Sequence, residues 1–202
     1  MSDAAGQAEL DAAGRLDAPG QPDAPGQPAA AGQLGPVTPQ GEAMFAELQW
    51  IHSMIRSDLE IVREMAADAA SGEPASGIQA RLRTLAAASP LWQLRINCLH
   101  YCRFVHAHHH AESVLLFPEL RRSNPALTPV VDKLQADHEH VSTLLDDVEA
   151  AARELGEEDG PGPRERLAAA LGQLSTDLLA HLAYEEESIG GTLRTWTTWP
   201  YR

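Results

Sequence analysis

Positive charge is scarce in this chain. Its 202 residues carry 15 Lys and Arg against 29 Asp and Glu, a net charge of −14 at pH 7. Gripping phosphates needs a cationic surface, so nucleic acid and anionic membrane surfaces are excluded as partners. No apolar run approaches the ~20 residues of a membrane span. The N-terminus has neither the basic start nor the apolar stretch of a secretion signal, and a cytoplasmic protein is expected. Aromatic residues make up only 5% of the chain. β-Branched clusters are few while Leu and Ala abound, which favours helices over sheets. Cysteine occurs twice, at Cys98 and Cys102, and a disulfide framework is not in question.

What is present falls into three parts. Residues 1–40 repeat a hexapeptide pattern (LDAAGR, LDAPGQ, PDAPGQ, PAAAGQ) rich in Gly and Pro and devoid of aromatics. Such a segment cannot bury enough apolar area to offset ~1–2 kcal/mol of backbone entropy per residue. It reads as a disordered tail, and its glycine period of six excludes a collagen helix; no protein partner for it can be named. Residues 41–195 carry helical periodicity. Residues 196–202 form a C-terminal extension whose Trp196, Trp199 and Tyr201 are expected to fold back on the rest.

Within the middle part, Phe45, Leu48, His52, Ile55 and Leu59 recur at helical spacing, giving a first helix from near Gly41 to about Ala70. Ser71–Gly77 breaks it, and a short helical piece is expected over Ile78–Ala88. Ser89 can cap and Pro90 can open a second main helix over Leu91–Phe117, with Pro118 kinking or ending it. Thr128-Pro129 reads as cap and first turn of a third helix carrying Val131, Leu134, His138, Val141 and Leu145. After a loop at Gly156–Pro163, a fourth helix carries Leu167, Leu171, Leu174, Leu178, His181 and Glu185, and Gly190-Gly191 is expected to terminate it. The fold class is all-α, an up-and-down four-helix bundle with a disordered N-terminal tail.

Each main helix places one histidine in phase with its own apolar residues: His52, His108, His138 and His181. Two of them have a glutamate four residues on, Glu112 and Glu185. At about 100° per residue, His108 and Glu112 lie about 40° apart on one face, in a stripe with Tyr101, Phe104, Val105 and Leu115. A lone histidine on an apolar face is usually a hydrogen-bonded core residue. Four in register with two carboxylates are another matter, because each buried unpaired polar group costs ~1–3 kcal/mol and a carboxylate more. Domains have only ~5–15 kcal/mol of net stability. A metal centre inside the bundle offsets that cost. Imidazole and carboxylate ligands suit iron, manganese or zinc. Two glutamates can each bridge two ions, with His52 and His108 on one and His138 and His181 on the other, leaving positions for oxo, hydroxo or an exogenous ligand.

The other polar residues of these helices divide by helical phase. His109, about 100° from His108, sits at the border of the core face and is a candidate extra ligand. His106, His110 and His140 point outward, and His100 is expected to pack or hydrogen-bond at the flank. Glu186 is a candidate partner of a ligand, and Tyr101 either packs or hydrogen-bonds toward the centre. Cys102 falls about 120° from His108, so the two cysteines read as buried, inert thiols in a reducing compartment.

Taken together, His52, the H-x-x-x-E-x-x-x-LFP run over His108–Pro118, the DHEHV around His138 and HLAYEEE over His181–Glu187 resemble the hemerythrin-like (HHE cation-binding) domain, particularly its actinobacterial members. The resemblance covers roughly residues 42–195. It implies a non-haem di-iron centre, two Fe ions with an oxo or hydroxo bridge, that binds O2, NO or H2O2 in oxygen handling, sensing or redox protection. Oxygen-carrying members have His-x-x-x-His on the third helix, where this chain has Ser142 four residues after His138. They also have Asp five residues after the last histidine, where it has Glu185 four after His181. Reversible oxygen carriage is thereby put in question, and peroxide or nitric oxide chemistry, catalase- or peroxidase-like, or sensing fits more easily. No catalytic base, nucleophile or organic cofactor can be identified. The alternatives are a metal-dependent sensor or interaction module without turnover, and a structural zinc bundle.

Overall fold

The computed structural model describes residues 34–71, 90–155 and 161–199. It contains α1 (Pro39–Ala70), α2 (Pro90–Ala111), a wide π-helical turn (Glu112–Leu116), α3 (Phe117–Ser123), a 3-10 turn (Pro125–Leu127), α4 (Thr128–Glu154) and α5 (Pro161–Leu193). No strand occurs among the described residues. Most of the N-terminal tail and the expected helix over Ile78–Ala88 lie outside them.

Four long helical rods, the second being α2 continued through the wide turn into α3, pack as neighbours around a ring. α1 meets α2 and α5, and α4 meets α2 and α5. Two hydrophobic clusters fill the interior. One contains Ile55 and Leu59 of α1, Cys98 and Val105 of α2, Val141 and Leu145 of α4, and Leu178 and Leu182 of α5. The other contains Phe45 and Leu48, Leu116 and Phe117, Val131 and Leu134, and Ile189 and Leu193. Along α1 and α4 the chain runs from the second cluster to the first, and along α2 and α5 it runs back. The bundle is therefore up-and-down, as the sequence pattern predicts.

The boundaries differ from expectation in physically instructive ways. Helix α1 starts at Pro39, two residues before Gly41, because the Thr38 hydroxyl caps it by accepting from the Gly41 N–H at 2.8 Å. Gly41 itself permits a close approach: a Cβ there would lie 2.2 Å from the Arg194 carbonyl oxygen at the end of α5. Pro118 neither ends nor breaks the second rod. It has no N–H to donate and its ring would crowd the preceding turn, and the π-helical turn directly before it absorbs the misfit. That turn inserts an extra residue, so Leu116, 1% exposed, faces the core while Leu115, expected in the buried stripe, is 41% exposed.

Thr128 does not cap α4. The 3-10 turn feeds straight into the helix, and the Thr128 hydroxyl donates to the Pro125 carbonyl at 2.8 Å. Pro161 and Pro163, expected in a loop, lie in the first turn of α5, where a missing N–H costs nothing. Gly190 and Gly191 do not terminate α5, which continues to Leu193. Gly190 is there for packing: a Cβ would sit 2.7 Å from the Phe45 ring. Beyond α5, Trp196 turns back into the second cluster and its indole N–H donates to the Ser123 hydroxyl at 3.1 Å.

Candidate metal centre

The two hydrophobic clusters are separated by a polar layer. His52 lies between Leu48 and Ile55, His108 to Glu112 between Val105 and Leu116, His138 between Leu134 and Val141, and His181 to Glu185 between Leu178 and Ile189. Each helix thus swaps one turn of apolar residues for chemistry at the same height. All six side chains singled out in the sequence converge there.

Their ring nitrogens face each other in two pairs. His52 Nε2 and His108 Nε2 stand 3.1 Å apart, and His138 Nε2 and His181 Nε2 also stand 3.1 Å apart. Two nitrogens bound to one ion at ~2.1 Å with a right angle between the bonds are ~3.0 Å apart, so either pair suits a common ion. The carboxylates lie between the pairs. Glu112 Oε1 is 3.2 Å from His108 Nε2 and 3.9 Å from His52 Nε2, while its Oε2 is 3.6 Å from His138 Nε2. Glu185 Oε2 is 3.4 Å from His52 Nε2 and 3.8 Å from His181 Nε2. Glu185 is fully buried, and all four oxygens of Glu112 and Glu185 are buried without a hydrogen-bond partner. Ligand atoms lie within 4.8 Å of one another in three groups: His52, His108 and Glu112; Glu112, His138 and Glu185; and His109, His138 and His181. Carboxylates stripped of water without donors are costly, and a multivalent cation is what this donor set fits.

Electrostatics agree with that fit. Burial pushes His108 and His138 down to about 3, and it lowers His181 as well. These imidazoles are neutral, with a lone pair to offer. Burial also pulls His52 down, but the negative charge of Glu112 and Glu185 close to the ring outweighs it and lifts His52 to about 10. Glu112 is raised to about 8 by burial and by the charge of Glu185.

Outer contacts orient the rings. Glu186 Oε1 accepts from His52 Nδ1–H at 2.8 Å and from the Arg56 guanidinium at 2.8 Å, which leaves Nε2 as the inward nitrogen. Ser113 Oγ is 2.9 Å from His138 Nδ1, and Phe117 stacks on the same ring at 4.9 Å between centroids. Asp137 Oδ2 lies 3.8 Å from His181 Nδ1. Helical phase marks Glu186 as a candidate partner, whereas Ser113, Arg56 and Asp137 join the site only in the structure. Arg56 stands four residues after His52 and Asp137 directly before His138, so helical phase contains both signals. Ser113 depends on the π-helical turn and leaves no such trace.

Other expectations need correction. Phe104 is 38% exposed and outside the core, whereas His109 is 5% exposed and inside it. The buried face of α2 runs through Leu94, Cys98, Tyr101, Val105, His109 and Glu112, so its centre is rotated away from His108. His100 is exposed rather than packed, and His106 is half-buried, 3.7 Å from Asp146, rather than fully outward. His110 and His140 are exposed, and His140 Nε2 meets Asp177 at 2.9 Å. The Tyr101 hydroxyl is buried with no hydrogen-bond partner and joins the first hydrophobic cluster. Cys98 and Cys102 are buried free thiols, Cys98 pushed up to about 12 by burial.

A cleft of about 430 Å³ between α2 and α4 reaches the layer from outside; His109, Ser113, His138 and Ser142 line it. No described helix is long and apolar enough to cross a membrane. Residues 44–193 match the family model of the hemerythrin HHE cation-binding domain. A comparison with curated proteins matched none, and neither did a comparison with solved structures.

Proposed function

Because the chain belongs to the hemerythrin HHE cation-binding family, we propose that its polar layer holds two iron ions and that the loaded protein binds or reacts with O2, NO or H2O2. His52 and His108 hold one ion, His138 and His181 the other, and Glu112 and Glu185 reach both. The observation that carries this reading is the set of four buried, unpartnered carboxylate oxygens standing between two facing pairs of imidazole nitrogens. Iron in such a set supplies redox change and coordination positions left open to a small molecule.

The chain's own residues do the rest. Glu186 keeps a proton of His52 on Nδ1, and Ser113 meets Nδ1 of His138, so that each Nε2 faces the layer. The two hydrophobic clusters exclude bulk water above and below the layer, and the cleft beside His138 admits small molecules from the side. A structural zinc bundle does not need an access cleft of this kind. Protein loaded anaerobically with Fe(II) and then exposed separately to O2, NO and H2O2 tests the reading by absorption spectroscopy. New visible charge-transfer bands that shift when azide is added are expected. A loaded protein that stays colourless and unchanged with all three contradicts it.

A further inference from the structure

His109 is the one polar group of the layer to which the six-residue set gives no task. Its ring is 5% exposed, and its Nε2 is buried with no hydrogen-bond partner. An unpaired buried nitrogen costs ~1–3 kcal/mol, so simple packing is a poor reason to keep a histidine there. The ring stacks on His138 at 4.1 Å between centroids with an 11° tilt, and lies 5.0 Å from His181 at 79°. One nitrogen from each of His109, His138 and His181 falls within the 4.8 Å group.

We infer that His109 is a fifth histidine ligand, completing a three-histidine subsite with His138 and His181 opposite the two-histidine subsite of His52 and His108. The inference rests on the two-ion reading above and deepens it by making the two ions unequal. Adjacent residues on α2 then serve different ions, because an advance of about 100° per residue turns His108 toward His52 and His109 toward His138. The next turn brings in Glu112, whose two oxygens face the two sides. On α4 the residue one turn beyond His138 is Ser142, which lines the same cleft as His109. That position, from which α4 could offer a second ligand, carries only a small hydroxyl, and His109 reaches the subsite from across the cleft.

The test uses the full chain, stripped of metal and titrated anaerobically with Co(II), comparing wild type with His109→Phe and His109→Gln. Bound Co(II) is counted by equilibrium dialysis, and helix content by circular dichroism confirms folding. Phe keeps the stacked ring and Gln keeps a polar group, so the two variants separate the loss of the nitrogen ligand from the loss of packing. Wild type is expected to bind two Co(II). The variants should bind one with unchanged affinity and the second more than about 100-fold more weakly, beyond the 10–100-fold that losing an outer hydrogen-bond partner costs. A folded variant whose second Co(II) is weakened less than that overturns the inference. Wild type that binds fewer than two Co(II) instead overturns the two-ion reading, so the two failures are distinct.

Discussion

His52 Nδ1 lies 2.8 Å from Glu186 Oε1, and the same oxygen accepts from Arg56. Neighbouring residues of α5 thus act on one imidazole from two sides, Glu185 toward Nε2 and Glu186 at Nδ1. The half-buried Glu186 carboxyl is desolvated, yet its bonds to Arg56 and His52 hold it below the usual carboxylate range. It is therefore a permanent acceptor that fixes the tautomer. Glu186→Ala is expected to lower metal affinity about 10–100-fold with little change in helix content. Competition with a chelator of known affinity measures it, and an unchanged affinity removes Glu186 from the site's support.

Glu185 serves both the metal and the charge balance of the layer. Its Oε2 lies 3.4 Å from His52 Nε2, and removing one partner of a buried charge pair costs ~3–5 kcal/mol. Glu185→Leu should lower the Tm of chelator-treated protein as well as the number of ions retained. Calorimetry and metal analysis on the same samples read both. An unchanged or raised Tm in the chelated variant would show that Glu185 does not balance the charge of His52.

The pH dependence of the chelated protein follows from opposed shifts. His108 and His138, lowered from 6.5 to about 3, stabilise fully above pH 6.5, and this contribution is lost as pH falls toward 3. Glu112, raised from 4.5 to about 8, stabilises fully below 4.5, and this is lost as pH rises through 8. His52, raised from 6.5 to about 10, loses its contribution between those values. The Tm of chelated protein should therefore peak between the acid loss from His108 and His138 and the alkaline loss from His52, and fall on both sides. Loading metal displaces the protons of His52 and Glu112, so the alkaline fall should vanish. Thermal scans from pH 4 to 10, with and without metal, decide it; an alkaline fall that persists on loading contradicts the assignment of His52 and Glu112.

Gly190 offers a test of packing remote from the metal layer. A Cβ there would meet the Phe45 ring at 2.7 Å, and Phe45 is buried beneath Arg194, whose guanidinium carbon lies 4.0 Å from the ring centroid. Gly190→Ala gains helix propensity but forces that ring to move, at a cost of ~1–3 kcal/mol. A lowered Tm with unchanged metal content is expected. A raised Tm would mean that the ring yields freely.

Much of this was legible in the sequence where each ligand rides its own helix's apolar phase. His52 and His138 stand one turn from core residues on both sides, His181 follows Leu174 and Leu178 in the same phase, and Glu185 follows His181 by four. That is why the bundle and four of the six converging side chains can be placed one helix at a time. Helix α2 was harder. Five histidines crowd its end, and a stripe centred on His108 turns Phe104 and Leu115 inward and leaves His109 at the border. The buried face instead follows Cys98, Val105 and His109, which local spacing cannot choose without the neighbouring helices. The π-helical turn before Pro118 and the role of Gly190 against Phe45 are likewise products of tertiary contact.

The central claim is that Glu112 and Glu185 stand between two ions. Its most direct measurement is the iron content per chain after anaerobic Fe(II) loading and removal of loose metal, for wild type, Glu112→Ala and Glu185→Ala. Two irons in wild type and fewer than two in each variant is the predicted result. Two irons retained in both folded variants, or fewer than two in wild type, would contradict it.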